Sequence, residues 1–419
     1  MNFKFISNAC GIFTSKTGKT LLCDPWIDDG VFEGSWCHFH ELKTKIDDLK
    51  NVDCLYVSHV HPDHFDIRNF NYRKNIPIFV LDHGFNFLNK NLTAMGYTNL
   101  IKIKNGETRE FEDFKITLYA PFTSNNFFED VAEVGNLIDS ALVVESNDIV
   151  AFNPNDNTPD IRACKMLKER FGKFDLVLHN YNAAGPYPSC FSNLTEKEKV
   201  KEHERILDRN FQYMLKNCEE LECKMVLPFA GAYVLGGALA KKNHYLGTTT
   251  WDVCANYLKK HLKNDTEVIC LRENDEIDLI SRNRNNTYIP IDHNEMEIYI
   301  NEKLSKVKYD YELEPVVNYS ALKKDLILAS KKMSERCKKI LLIPDMDVEI
   351  EIDGKKINIC KVDESKGLLS CSLDPRLLRK ILDRAAHWNN AEIGCHIEFN
   401  RVPNYYSPDM HTMLQFLHL

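Results

Sequence analysis

Short apolar runs separated by turn-forming residues dominate the first 160 positions. Lys19 to Cys23, Cys54 to Ser58, Ile76 to Leu81, Leu100 to Ile103, Phe114 to Tyr119, Ser140 to Val144 and Ile149 to Phe152 are rich in Val, Ile, Leu and Phe, and Gly, Asn, Asp or Pro bound them. Runs this short read as buried strands. They predict a strand-rich sandwich whose polar connecting loops hold the ligands. The pattern changes from residue 192 to 224. There Thr195 is placed to cap a long helix, and Ile206, Leu207, Phe211, Met214 and Leu215 recur at helical spacing as core contacts. A second amphipathic segment, Tyr319 to Arg336, precedes strand patterns at Ile340 to Ile343, Val348 to Ile352 and Lys356 to Val362, with Asp353-Gly354 as a hairpin turn. The expected organisation is an α/β domain over residues 1–300 and a small C-terminal α+β module with its own core over 301–419. No internal repeat or low-complexity tract interrupts it.

Composition narrows the function classes. A chain of 419 residues with 44% hydrophobic content has enough apolar side chains for a sizeable core. The net charge of -8 offers no broad basic field for nucleic acid, so an anionic substrate has to meet locally placed cations. The 14 cysteines, among them Cys10, Cys23, Cys37, Cys54, Cys164 and Cys190, are scattered without a C-x-x-C pair and read as buried reduced thiols. Polar residues interrupt the stretch from Met1 to Asn8 before a signal-peptide core develops, and no apolar run is long enough to span a bilayer. The expectation is a cytoplasmic protein with no membrane and no nucleic-acid partner.

Against that background one segment stands out. Cys54-Leu55-Tyr56-Val57-Ser58 delivers the chain directly into His59, His61, Asp63 and His64, a set of potential metal ligands separated only by Val60 and Pro62. A surface loop accounts for one histidine, but not for H-x-H-x-D-H straight after a buried strand. Residues i and i+2 at a strand end project the same way, so His59 and His61 can share one metal. Asp63 and His64, beyond Pro62, can face a second.

This motif, with Leu21-Leu22-Cys23-Asp24-Pro25-Trp26 before it, resembles the metallo-β-lactamase superfamily, which implies an αββα sandwich. Asp24 then supports the ligands from behind, although an Asp before Pro also reads as a turn initiator. The order of Asp24-Pro25-Trp26, Gly34-Ser35-Trp36, the His59 motif and Leu227-Pro228-Phe229-Ala230-Gly231 is similar to that of the CMP-N-acetylneuraminate hydroxylases, over roughly residues 1–250 and more faintly in the tail. Those enzymes carry a Rieske iron-sulfur domain ahead of the lactamase-like part. Here the pattern starts at residue 3, so none is expected.

The resemblance implies further ligands. Asp156, after the strand pattern at Ile149, takes the place of the metal-bridging aspartate, and His179, after Leu176-Val177-Leu178, that of the last ligand. Their plainer readings are a turn-forming Asp and a buried histidine bonded to backbone. Gly135 falls where another histidine is expected, so the His59–His61 subsite is incomplete unless Asp139, Glu129 or His244 completes it. The fuller set is Asp63, His64, Asp156 and His179.

The runs Asn182 to Pro188 and Pro228 to Gly237 are expected to line the mouth of the site, with glycine N–H groups open to phosphate or carboxylate. Lys241 and Lys242 follow, either touching an anionic substrate or simply solvated. The polar, aromatic stretch His387 to His396 reads either as a helix cap followed by a strand or as a segment packed on the site.

The functional expectation is a metal-dependent hydrolase using one or two divalent ions, zinc first and iron or manganese as alternatives. Asp63 orients or deprotonates a metal-bound water, and the substrate is a small anionic sugar or nucleotide sugar. One alternative is a non-haem iron oxygenase fed by a separate electron-transfer protein. The other is a degenerate scaffold that binds without chemistry.

Overall fold

The computed structural model describes residues 1–84, 87–122 and 138–419. Two seven-stranded sheets form its centre. The first runs Glu276–Asp278, Asn2–Ser7, Cys10–Thr14, Thr20–Cys23, Cys54–Tyr56, Ile78–Leu81 and Leu100–Ile103. The second runs Glu267–Val268, Met225–Pro228, Leu176–His179, Ile149–Asn155, Ala141–Ser146, Phe114–Tyr119 and Thr108–Phe111.

Strand alternation sorts their side chains into layers. Leu21, Cys23, Cys54 and Tyr56 of one sheet meet Leu142, Val144, Leu176 and Leu178 of the other in a core between the sheets. The intervening residues Leu22, Leu55 and Val57 face outward beneath Leu49 and Leu92, the latter on the helix Phe87–Ala94. On the opposite side Val143, Phe152 and Val177 face the helices Ile161–Phe171, Glu196–Leu221 and Trp251–His261. These four layers are helix, sheet, sheet and helix, as the sequence leads one to expect.

The long helix starts at Thr195 with a capping box. Thr195 Oγ1 accepts from Glu198 N at 3.3 Å, and Glu198 Oε2 accepts from Thr195 N at 2.8 Å. Among the described residues no helix is long and apolar enough to cross a membrane.

The tail contains a four-stranded sheet in the order Lys355–Cys360, Asp347–Ile352, Leu368–Ser372 and Glu398–Val402, with the helices Tyr319–Lys339, Pro375–Leu382, Trp388–Ile393 and Pro408–Leu414. Asp353 and Gly354 turn its hairpin at φ 48° and 73°. The expected strand at Ile340 to Ile343 does not form. Ile340 caps the preceding helix, and Ile340, Leu341 and Ile343 are exposed, because their backbone continues the helix end instead of meeting a sheet edge.

Nor is the tail's core its own. Trp26, Phe32, Trp36, Phe191, Ile206 and Tyr233 from the first region share one continuous core with Leu322, Ile350, Leu378, Trp388, Phe399 and Met410. Trp36 stacks on Tyr233 at 3.4 Å and donates its Nε1–H to Ile393 O at 3.2 Å.

Candidate metal centre

Parallel pairing places the strand ends that carry chemistry on one rim. Thr20–Cys23, Cys54–Tyr56 and Ile78–Leu81 run parallel in the first sheet, as do Ile149–Asn155, Leu176–His179 and Met225–Pro228 in the second. Asp24, His59, Asp156 and Asn180 therefore emerge on the same side. Tyr56 ties the rims together: its hydroxyl donates to Ser140 O at 2.9 Å and accepts from Asn155 Nδ2 at 3.4 Å.

Asp24 sits at φ 40°, a left-handed conformation in which the chain turns at the strand end. Its buried carboxylate accepts from Ser58 N at 2.7 Å, from Ser58 Oγ at 2.8 Å and from His64 Nδ1 at 3.0 Å. Because Ser58 gives its only hydroxyl proton to Asp24, its oxygen is an acceptor for His59 Nδ1 at 3.0 Å. Asp139 Oδ1 lies 3.5 Å from the same nitrogen. Both imidazoles thus carry their proton on Nδ1 and turn an Nε2 lone pair inward.

What those lone pairs face is the test for a cation. His64 Nε2 is buried with no hydrogen-bond partner among the described residues, and it lies 3.3 Å from Asp63 Oδ2 and 3.4 Å from Asp156 Oδ2. His59 Nε2 lies 2.9 Å from His61 Nδ1 and 3.8 Å from Asp156 Oδ2. His61 in turn presents Nε2 to Asn389 Oδ1 at 3.0 Å, which puts the proton there and leaves Nδ1 as another lone pair. A buried lone pair aimed at carboxylates, and two more aimed at each other, are mutually repulsive until a positive charge stands among them. The donor set fits a divalent metal.

In the metal-free protein a second proton meets the same demand for positive charge at His64. Burial alone pushes His64 down, but the carboxylates of Asp63, Asp156 and Asp24 outweigh it and raise its pKa well above the ordinary histidine value. Burial likewise pushes Asp156 up, yet His64, His61 and the Asn180 amide bring it below the usual carboxylate range. For Asp24 burial prevails over His64 and Ser58, and its pKa is raised. His59, surrounded by other imidazoles, is held well below its ordinary value, first by burial and then by His64 and His61.

His59, His61 and Asp156 form a compact group of potential ligand atoms, with Asp63 and His64 beside it. Asp156 reaches toward both halves, and its side chain is 27% exposed against 0–1% for His59 and His64. It marks the open side.

His179 is a correction. The strand's alternation turns Val177 outward and Leu178 inward, so His179 follows Val177 to the outer face. There its Nδ1 meets Asn180 O at 2.6 Å and its Nε2 meets Asn217 Nδ2 of the long helix at 3.1 Å. Burial holds it at about 4, as a neutral ring. The residue that reaches Asp156 is Asn180, whose Nδ2 donates to Asp156 Oδ1 at 3.2 Å.

Of the candidates for the missing ligand, Asp139 stands behind His59 and not at its inward nitrogen. His244 lies in the 3-10 helix Gly237–Tyr245, apart from the ligand group. Glu129 and Gly135 lie outside the described residues.

The loop Pro228 to Gly237 also differs from expectation at Gly231, Ala232 and Gly236. Gly231 N and Ala232 N donate to Asn8 Oδ1 at 2.6 and 3.0 Å, and Gly236 N donates to Ser35 O. Gly237, at φ 60°, leaves room for the Tyr309 ring, 2.6 Å from where a Cβ would stand. These N–H groups hold the protein together and are not open to an anion. Asn8 uses its Nδ2 to hold Asp63 Oδ2 at 3.2 Å. Lys242 is buried and ion-paired with Glu398, while Lys241 is exposed. The tail segment fulfils both of its readings: His387 caps the helix Trp388–Ile393, and Asn389 packs on the site.

Sequence reasoning missed the supporting amides Asn8, Asn180 and Asn389. Single asparagines in unrelated segments carry no periodic or motif signal.

Residues 19–208 match the family model described as beta-lactamase superfamily domain, and the mixed α/β architecture of sheets flanked by helices is similar to that of metallo-β-lactamase fold proteins. The chain is 28% identical over 246 residues to a protein of Mycolicibacterium smegmatis named as a Rieske 2Fe-2S iron-sulfur protein, covering 55% of this chain and 43% of that one. It is 22% identical over 280 residues to the cytidine monophosphate-N-acetylneuraminic acid hydroxylase of Mus musculus, covering 63% and 44%. The chain thus spans less than half the length of these relatives. Among solved structures, isothiocyanate hydrolase from Delia radicum gut bacteria aligns with TM-score 0.46 and 16% identity, over 66% of this chain and 99% of that one. CmlA, a diiron β-hydroxylase from Streptomyces venezuelae, aligns with TM-score 0.44 and 15% identity, over 64% and 53%.

Proposed function

We propose that the protein is a metal-dependent hydrolase acting on a small anionic substrate of the sugar or nucleotide-sugar type. The observation that carries this reading is the convergence of the His59, His61 and His64 lone pairs with the Asp63 and Asp156 carboxylates beneath one open side. His59 Nε2, His61 Nδ1 and Asp156 would hold one divalent ion, and Asp63, His64 Nε2 and Asp156 a second; zinc suits both sets, and iron or manganese the carboxylate-rich one. When bound, such an ion polarises a phosphoryl or carbonyl oxygen and brings the pKa of a water toward neutrality.

The chain's own residues do the rest. Asn8 fixes the Asp63 carboxylate, which takes the proton of the attacking water. Asn180 holds one oxygen of Asp156 and leaves the other directed at the imidazoles. Asp24 and Ser58 keep the His59 and His64 protons on the outer nitrogens throughout.

The substrate class rests on the likeness to the sialic-acid nucleotide hydroxylase and on a cleft of about 540 Å³ beside the ligand loop. Val60 and Pro62 form one wall of that cleft, and Arg68 paired with Asp66, Lys380 paired with Glu33, Arg384 and His387 contribute to its lining.

A second reading, oxygenation at a two-histidine, one-carboxylate iron site, is favoured by the His59, His61 and Asp156 group and by the names of the relatives. It needs electrons from a partner or a further domain. Metal analysis of protein prepared with and without air, followed by turnover in labelled water and labelled dioxygen, separates the two. Label from water without a reductant is expected; label from dioxygen, dependent on a ferredoxin, would move the enzyme to the hydroxylases. Thermal-shift screening with nucleotide sugars, sugar phosphates and neutral lactones tests the substrate class. Stabilisation by neutral compounds alone would count against it.

A further inference from the structure

The two inward-facing histidines of the first half-site are held from different places. His59 is fixed by its sequence neighbour Ser58 and by Asp139, whereas the outer nitrogen of His61 is met by Asn389 of the tail helix Trp388–Ile393. Asn389 is buried, as are His61 and the adjoining Trp388. Its backbone N–H donates to His387 Nδ1 at 3.3 Å, so the cap of the helix fixes where this side chain begins.

A neutral imidazole carries one proton and can place it on either nitrogen. Only the tautomer protonated on Nε2 offers Nδ1 as a ligand beside His59 Nε2. An amide oxygen at 3.0 Å from Nε2 selects that tautomer and fixes the rotation of the ring. The second half-site needs no such help from the tail, because Asp24 performs the same service for His64.

We infer that Asn389 is a positioning residue for the metal ligand His61, so that the C-terminal module completes the His59–His61 half of the metal centre while the Asp63–His64 half is complete without it. This rests on the metal-centre reading above. It predicts an asymmetric response. Replacing Asn389 weakens one metal site and spares the other, and the effect follows the hydrogen-bond acceptor and not the packing.

The experiment uses the 419-residue chain loaded with zinc and titrated with a chelator while metal content is measured. Asn389→Leu keeps the volume without the acceptor and is expected to weaken the first site by roughly 10- to 100-fold, the usual cost of losing a ligand's outer partner. Asn389→Asp restores an acceptor and is expected to bind at least as tightly as the unaltered chain. Thermal melting of the metal-free proteins serves as control, and in it the Leu variant should still melt cooperatively, with only the modest loss expected of one buried hydrogen bond. Equal metal affinity in all three chains would overturn the inference while leaving the metal centre standing. Equal weakening by Leu and Asp would overturn it too, as a packing effect. An unaltered chain that binds no metal would overturn the proposed function and this inference together.

Discussion

The two halves of the candidate centre are built by opposite strategies. For His64 the outer nitrogen is held from within the first 65 residues: Asp24 and Ser58 fix it, and Asn8 fixes the neighbouring Asp63. A buried carboxylate does the holding. For His61 the support is a neutral amide more than three hundred residues away, delivered by a module that shares its core with the first region. A single six-residue motif thus has one half secured by a charge nearby and one half secured by the docking of a distant element. Metal binding and tail docking should therefore be coupled through one half only.

The sharpest break in that contrast comes from the ligands. His64→Ala and Asp156→Ala should abolish copurifying metal, since each faces the half that is complete without the tail, whereas His59→Ala should lower the metal content only partly. Elemental analysis checks this, and equal complete loss in all three would show that the halves act as one. Next in size is Asp24→Ala, which leaves Ser58 N and His64 Nδ1 without their buried acceptor. A loss of about 3–5 kcal/mol is expected on denaturant unfolding, together with weakened metal binding.

The docking side responds more mildly. Glu398→Ala takes from the buried ammonium of Lys242 one of its two partners and leaves Cys190; burial lowers the pKa of Lys242, but Cys190 and Glu398 outweigh it and raise it. Since the Glu398 side chain is 45% exposed, the expected cost is roughly 2 kcal/mol, below that of a fully buried pair.

The smallest effect is a slope with pH. His396 of the tail donates Nε2–H to Phe32 O of the first region at 2.8 Å and meets Tyr311 at Nδ1. Burial first, and Lys242 with it, holds its pKa at about 4 against the ordinary 6.5. Between those values the unfolded chain takes up a proton that the folded chain refuses. This contribution to stability is therefore full above pH 6.5 and declines as the pH falls toward 4. His396→Gln should lessen the slope of unfolding free energy against pH in that window, with His179 and His387 supplying the remainder; an unchanged slope would place the titration elsewhere.

The near half of the site was legible in the sequence because its chemistry is local. Strand parity places His59 and His61 together, and packing alone gives no reason to crowd ligands into a loop straight after an apolar run. The same parity, applied one strand further on, would have excluded His179: it shares a face with Val177, which packs under the helices, and the inward position belongs to Asn180. The motif analogy named His179, whose ring bonds Asn180 O and Asn217 on the outer face instead. Asn389 was out of reach for a different reason, since its role exists only after a tertiary contact across the chain. The tail strands at Asp347–Ile352 and Lys355–Cys360 were legible from alternation and the Asp353-Gly354 turn. Their merging with the first region's core was not, because apolar periodicity tells which face is buried but not against what.

That merged core also orders events during synthesis. Trp26, Phe32 and Trp36 leave the ribosome early, yet the surface that covers them includes Trp388, Ile393 and Met410 near the far end. Until those residues emerge, a large aromatic patch of the growing chain has nothing to pack on, and such nascent surface recruits chaperones and proteases. A chain truncated before Asn389 is expected to lose both the cover of that flank and the amide that faces His61, and the soluble yield of such a truncation would check it. The stretch that covers this flank is thus also the stretch that brings an amide to His61.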